Sequence, residues 1–134
     1  MLYRFFFKAF FTRLDPEFAH ELVVTGLRLL SGLGLIRARK ARDDINISGL
    51  QFENRLGMAA GFDKNGILIK PLHALGFGHV EIGTVTPLPQ PGNPKPRLFR
   101  LPKNQSLINR MGFNNEGAEA VAARIAKLRR DNQR

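Results

Sequence analysis

The sequence predicts an α/β chain in two parts: a helical N-terminal extension over residues 1–42 and the beginning of a parallel-sheet unit over residues 43–134. Three observations carry that expectation. Asp15-Pro16-Glu17 is a strong helix start. Two short apolar runs, Leu56–Ala60 and His79–Gly83, bracket a stretch of helical pattern, and strand–helix–strand order implies parallel pairing. Between the two parts, the densely charged run from Arg37 to Asp44 breaks the apolar pattern and marks the boundary.

In the extension, Tyr3, Phe6, Phe7, Phe10 and Leu14 recur at helical spacing, with Leu2, Phe5 and Phe11 widening the stripe and Arg4, Lys8 and Thr12 opposite. This predicts a short, very apolar amphipathic helix. A second helix should begin at Asp15, whose carboxylate can cap it, with Pro16 harmless in the first turn and Glu17 favoured at the positive dipole end. Its positions Ala19, Leu22, Val23, Leu27, Leu30 and Leu33 share one face, and Gly32 and Gly34 supply the stop. Together they predict a helical hairpin over residues 1–36, and Arg4, Lys8 and Arg13 suit it to an anionic membrane surface.

Beyond the linker, Ile45-Asn46-Ile47 and Leu50-Gln51-Phe52 alternate around Ser48-Gly49, the pattern of a β-hairpin. Leu56–Ala60 reads as a buried strand, residues 66–76 as a helix ending at Gly76, and His79–Gly83 as a second buried strand. The five prolines between Thr86 and Pro96 predict an irregular loop. Arg97–Leu101 and Ser106–Ile108 can pair antiparallel, and Glu116–Arg130 has an amphipathic helical pattern.

Composition removes several classes. A chain that is 43% hydrophobic and 24% charged is globular rather than disordered. It has no cysteine, and His20, His73 and His79 lack metal-ligand spacing, so no disulfide framework and no metal site are expected. The longest uncharged stretch, Ile82–Pro94, is proline-rich and falls short of the roughly 18 apolar residues of a spanning helix. Arg4, Lys8 and Arg13 interrupt the first apolar run and no small-x-small site follows, so the start is expected to stay on the mature protein. The net charge of +10 is uneven: +5 over residues 1–42, −1 over 43–96 and +6 over 97–134. Such charge invites a nucleic-acid-binding reading, yet basic residues are not interleaved with aromatics and no RNP-like or helix-turn-helix pattern occurs. No nucleic-acid partner is therefore expected; a basic membrane-surface protein without enzymatic activity is the other alternative.

Three segments carry candidate chemistry. AAGFDKNG (Ala59–Gly66) sits where a buried strand meets a helix, the position of ligand loops in α/β folds. Its small residues would let backbone approach a flat ring, and Lys64 offers a cation for an anionic substrate or a reduced flavin. INRMGFNN (Ile108–Asn115) is rich in amides that can bond a planar heterocycle. An ordinary tight turn and a capped turn are the plain alternatives for these two.

With EIGTVTPLPQPGNPKPRLFRLP (Glu81–Pro102) they form an ordered set, and over essentially its whole length the chain resembles class 2, quinone-dependent dihydroorotate dehydrogenases. The resemblance implies that residues 43–134 begin a (β/α)8 TIM barrel with a bottom hairpin and about the first two βα units. It implies FMN at the strand C-terminal ends, contacted by Ala60, Gly61, Phe62, Asp63, Lys64 and Thr84. Lys64, Asn109, Arg110, Met111, Gly112 and Phe113 would bind dihydroorotate, and His20 and Arg100 would stand near a quinone tunnel. The implied reaction is oxidation of dihydroorotate to orotate in pyrimidine biosynthesis, by an enzyme lying peripherally on the cytoplasmic side of the inner membrane. The family's serine base matches none of Ser31, Ser48 and Ser106; it and the phosphate-binding loops are expected beyond Arg134, leaving this stretch inactive alone.

Overall fold

Asp15 caps the first described helix as its sequence predicts: its carboxylate accepts from the Phe18 N–H at 2.9 Å, and α1 runs Pro16–Gly32. The computed structural model describes residues 12–36 and 43–132. Most of the expected first helix, and with it the hairpin of helices, lies outside the described residues, as does most of the charged linker.

Six strands follow, β1 (Ile45–Ile47), β2 (Leu50–Phe52), β3 (Gly57–Asp63), β4 (His79–Ile82), β5 (Leu98–Leu101) and β6 (Ser106–Asn109). Helix α2 (Ile69–Ala74) links β3 to β4, and α3 (Ala118–Asn132) closes the described part. The strands form three two-stranded sheets: β1–β2 antiparallel, β3–β4 parallel and β5–β6 antiparallel. The β1–β2 turn places Ser48 and Gly49 both in the left-handed region, the twist that matches a two-residue hairpin. A closed barrel of the expected type has eight parallel strands; the described residues hold one parallel pair, so the fold seen is mixed α/β.

The expected boundaries shift in informative ways. The first strand of the parallel pair is longer than Leu56–Ala60 and is not buried: Ala59, Ala60 and Gly61 are exposed. Pairing also breaks along this strand: Met58 faces Val80 but Asp63 faces Ile82, so β3 bulges between them. Gly61 takes φ +95 within that bulge, a conformation other residues rarely adopt, and its N–H donates to the Gly83 carbonyl at 3.1 Å. The expected helix over 66–76 shrinks to Ile69–Ala74, because Asp63 holds the preceding turn in another shape. Likewise His79–Gly83 is a strand only to Ile82, with His79 and Glu81 exposed.

Burial is concentrated around Leu68, Leu72, Met111, Val121 and Ala19. Truncating Leu68 or Leu72, both essentially inaccessible, should cost about 2–5 kcal/mol. Of the apolar face expected on α1 only Ala19 is buried; Leu22, Leu30 and Leu33 stand in the open. Among the described residues no helix is long and apolar enough to cross a membrane.

Candidate functional site

The bulge in β3 opens its small residues onto a cavity of about 300 Å³. Ala60, Gly61 and Lys64 form one side, Gly83 and Thr84 the second, and Asn109, Arg110, Met111, Gly112 and Phe113 the third. Nine of the expected contact residues that surround it thus come from three separate segments, and Gly83 joins them without being among the expected contacts. A larger cavity, about 570 Å³, lies on the other side of the β3 turn, between that turn and α1. It is lined by Glu17, His20, Glu21 and Val24 from the helix, by Phe62, Asp63 and Lys64 from the turn, and by Leu98, Met111 and Asn114. Gly61, Lys64 and Met111 belong to both cavities and separate them.

Lys64 is the group around which the two spaces are organised. Its Nζ donates to Asn114 Oδ1 at 2.6 Å and lies 3.5 Å from Met111 Sδ. Partial burial pushes its pKa below the usual lysine value; the nearby Arg97 charge adds to that shift and Glu17 opposes it. Asn114 was hidden in the amide-rich INRMGFNN run, where nothing distinguished the amide that holds the lysine from those that face outward.

Phe62 and Asp63 look towards the helix side. His20 packs edge-on against Phe62, with ring centroids 5.0 Å apart and planes at 87°. Burial holds the His20 pKa below its ordinary value, aided by the Lys64 charge and opposed by Glu21, Asp63 and a backbone hydrogen bond at Phe62. Asp63 is 2% exposed, and both carboxylate oxygens are occupied, accepting from Ile67 N–H at 2.9 Å and Leu68 N–H at 2.7 Å. Its carboxylate therefore shapes the turn that presents Lys64.

The third side of the small cavity is set by the proline-rich loop. Asn93 N–H donates to the Met111 carbonyl at 2.9 Å and its Nδ2 to the Arg110 carbonyl at 2.7 Å, while Gln90 Nε2 donates to the Gly112 carbonyl at 3.1 Å. Gly92 is required here, because a Cβ would lie 2.1 Å from the Met111 carbonyl oxygen. Asn109 Oδ1 accepts from Met111 N–H at 2.9 Å, which leaves its Nδ2 donors for a ligand. Phe113 is exposed with a left-handed backbone, φ 56. Arg100 lines neither cavity; its Nη1 donates to the Leu14 carbonyl at 2.5 Å, just ahead of α1. Ser31, Ser48 and Ser106 also line neither, and among the described residues no cluster could hold a metal ion.

Residues 44–134 match the family model described as dihydroorotate dehydrogenase. The chain belongs to that family. A dihydroorotate dehydrogenase (quinone) of Nocardioides sp. is 53% identical over 99% of this chain and 37% of its own length. One from Kocuria rhizophila is 54% identical over 93% of this chain and 36% of its own. The solved structure of DHODH in complex with ferulenol from Eimeria tenella superposes with a TM-score of 0.74 at 46% identity, covering 87% of this chain and 31% of that one. The chain thus spans about a third of the length of these dihydroorotate dehydrogenases. A flavin suits the wall that the described residues build: exposed small residues at 59–61 admit a planar ring, Thr84 adds a hydroxyl and Lys64 a cation.

Proposed function

We propose that this chain supplies the first part of a quinone-reducing dihydroorotate dehydrogenase, which oxidises dihydroorotate to orotate in the de novo synthesis of pyrimidine nucleotides. The observation that carries this reading is the small cavity, where residues from three segments, among them Lys64, Thr84 and Asn109, meet on one wall. FMN, held by Ala60, Gly61, Phe62, Asp63, Lys64 and Thr84, would supply the redox chemistry between dihydroorotate and a quinone. The chain's own part is orientation and charge. Ala60 and Gly61 admit the ring, Lys64 places positive charge beside it and the substrate carboxylate, and Asn109 donates from Nδ2 to the substrate ring. Phe113 and Gly112 shape the same substrate segment. The larger cavity beside His20 is the side from which quinone approaches, with Arg100 at its margin. The base that removes the C5 proton is a serine other than Ser31, Ser48 and Ser106, so the 134-residue chain assayed alone is expected not to turn over dihydroorotate.

Residues 1–36 hold the enzyme peripherally on the cytoplasmic side of the inner membrane, supported by the apolar and basic composition of that stretch. Flotation with anionic liposomes tests this: equal flotation of the full-length enzyme with and without residues 1–36 sinks it.

For the site itself, Asn109→Ala in the full-length enzyme should lower kcat/KM for dihydroorotate by about 1–3 kcal/mol of transition-state binding, through an unpaired group on the ring. The KM should rise while FMN content stays near wild type. Wild-type kinetics in that variant would refute the assignment.

A further inference from the structure

Three cations within one short stretch, Lys95, Arg97 and Arg100, reach back to the start of α1. Lys95 Nζ lies 3.3 Å from Glu17 and 3.1 Å from Glu21. Arg97 Nε donates to the two Glu17 oxygens at 3.2 and 3.0 Å, and its Nη2 donates to Oε1 at 2.6 Å. Arg100 takes the Leu14 carbonyl just before the helix. The side chains of Arg97 and Glu17 are only 7% and 6% exposed, so dissolved salt screens them little. Arg97 is itself held from the far side: its Nη1 donates to the Pro91 carbonyl at 2.6 Å and the Asn93 carbonyl at 2.9 Å.

This grip matters because little else fixes α1. Its outer apolar residues Leu22, Leu29, Leu30 and Leu33 are exposed, and only Glu17 and Ala19 are buried. Glu17 and His20 stand three residues apart on the helix, hence on one face, and both line the larger cavity. Arg97 lines neither cavity; its side chain meets the larger one through Glu17, and its charge also reaches Lys64 on the wall between the two. Its main chain meanwhile serves the other wall, where its carbonyl accepts from Arg110 N–H at 2.9 Å. A side-chain substitution at Arg97 keeps that backbone contact but also frees the Pro91 and Asn93 carbonyls of the proline-rich loop, whereas a substitution at Glu17 leaves those loop contacts in place.

We propose that Arg97, acting through Glu17, is a positioning residue for the electron acceptor: it fixes α1 so that His20 stays edge-on to Phe62, and so sets how a quinone is seated in the larger cavity. This rests on the function proposed above. It assigns no chemistry to Arg97 itself, and it makes the acceptor side depend on the ion pair more than the dihydroorotate side, with which it shares Lys64.

The test uses the full-length enzyme carrying this sequence, with Glu17→Gln and Arg97→Lys compared to wild type. Lysine keeps the charge of Arg97 but not its planar fork, so its effect should be intermediate. In Glu17→Gln the KM for a short-chain quinone should rise about tenfold, as expected for a displaced cavity wall. The KM for dihydroorotate and the rate of flavin reduction in single turnover should stay within about twofold. Hydrogen exchange of amides 16–24 should quicken against an unchanged remainder. An unchanged quinone KM overturns the proposal, as does unchanged exchange in α1. Both KM values rising together with a fall in Tm would mark general destabilisation and overturn it too. A wild-type enzyme that reduces no quinone with dihydroorotate would instead overturn the proposed function, while the exchange arm still decides whether the pair holds the helix.

Discussion

Helix α1 and the segment 109–117 both wall the space around Lys64, yet they are held in opposite ways. The segment is held through main chain and short amides. Gln90 and Asn115 exchange two backbone hydrogen bonds at 3.1 and 3.0 Å, and the Asn115 side chain binds Thr86, Phe113 and Gly117 at once. Helix α1 is held by the tips of long charged side chains from residues up to 86 positions away in sequence. Short amides lose little rotamer freedom when ordered, whereas glutamate and arginine each lose about 1.5–2 kcal/mol. The first wall is therefore rigid by construction, and the second depends on a few ionic contacts that one substitution can remove.

The largest expected effect breaks the rigid wall. Asn115→Ala removes an acceptor from the Thr86 and Gly117 N–H groups and a donor from the Phe113 carbonyl, all part-buried or buried. Leaving such groups unsatisfied costs about 1–3 kcal/mol each, so a loss of roughly 3 kcal/mol or more is expected in denaturant titration of the full-length enzyme. A loss under about 1 kcal/mol would show that ordered water replaces the amide and that the contrast between the walls is weaker than drawn here.

A smaller effect concerns pH and the ionic wall. The Arg97 hydrogen bonds hold the Glu17 pKa below its ordinary value of 4.5; burial opposes this, and Lys95 adds to it. A lowered folded-state pKa means that the contribution is fully present above the ordinary value and is lost as pH falls through the folded one. The docking of α1 should thus be constant from neutrality down to about pH 4.5 and weaken below it. Hydrogen exchange of α1 across acid pH, corrected for intrinsic rates and compared with Glu17→Gln, reads this directly. Parallel pH dependence in the variant would assign the change to another carboxylate.

Much of this contrast could be read from the sequence on one side only. The Asp15-Pro16 start, the Ser48-Gly49 turn, the proline-rich loop and the antiparallel pairing of residues 98–101 with 106–109 all appear as local chemistry dictates. The small cavity was legible too, since nine of its ten lining residues, all but Gly83, are among the contacts the motifs imply. What stayed hidden was set by distance. Glu17 reads as a helix-dipole residue and Arg97 as the first residue of a strand, and no local pattern reveals a partner 80 positions away. The role of Asp63 within the turn was hidden as well: the resemblance names it among the flavin contacts, and the fold adds that its carboxylate accepts from the N–H groups of residues 67 and 68. The exposed centre of β3 and the break in its pairing with β4 are features that apolar periodicity does not encode.

The smallest effect is expected at the far end of α1. Leu33 is 71% exposed and follows the last turn of the helix, well past the contacts made by Glu17 and Glu21. If the ionic contacts are what fix α1, Leu33→Gln should change stability by no more than about 0.5 kcal/mol, the usual range for a surface substitution. Hydrogen exchange at residues 16–24 and the quinone KM should be equally unmoved. A loss of about 2 kcal/mol or more would require Leu33 to be covered in the full-length enzyme by another element, because only a buried leucine carries that much transfer free energy. That result would shift the weight of the docking from the ion pair to apolar contact at the helix end. A variant that keeps its stability but loses liposome flotation would leave the ionic docking intact and place Leu33 on the membrane-facing side.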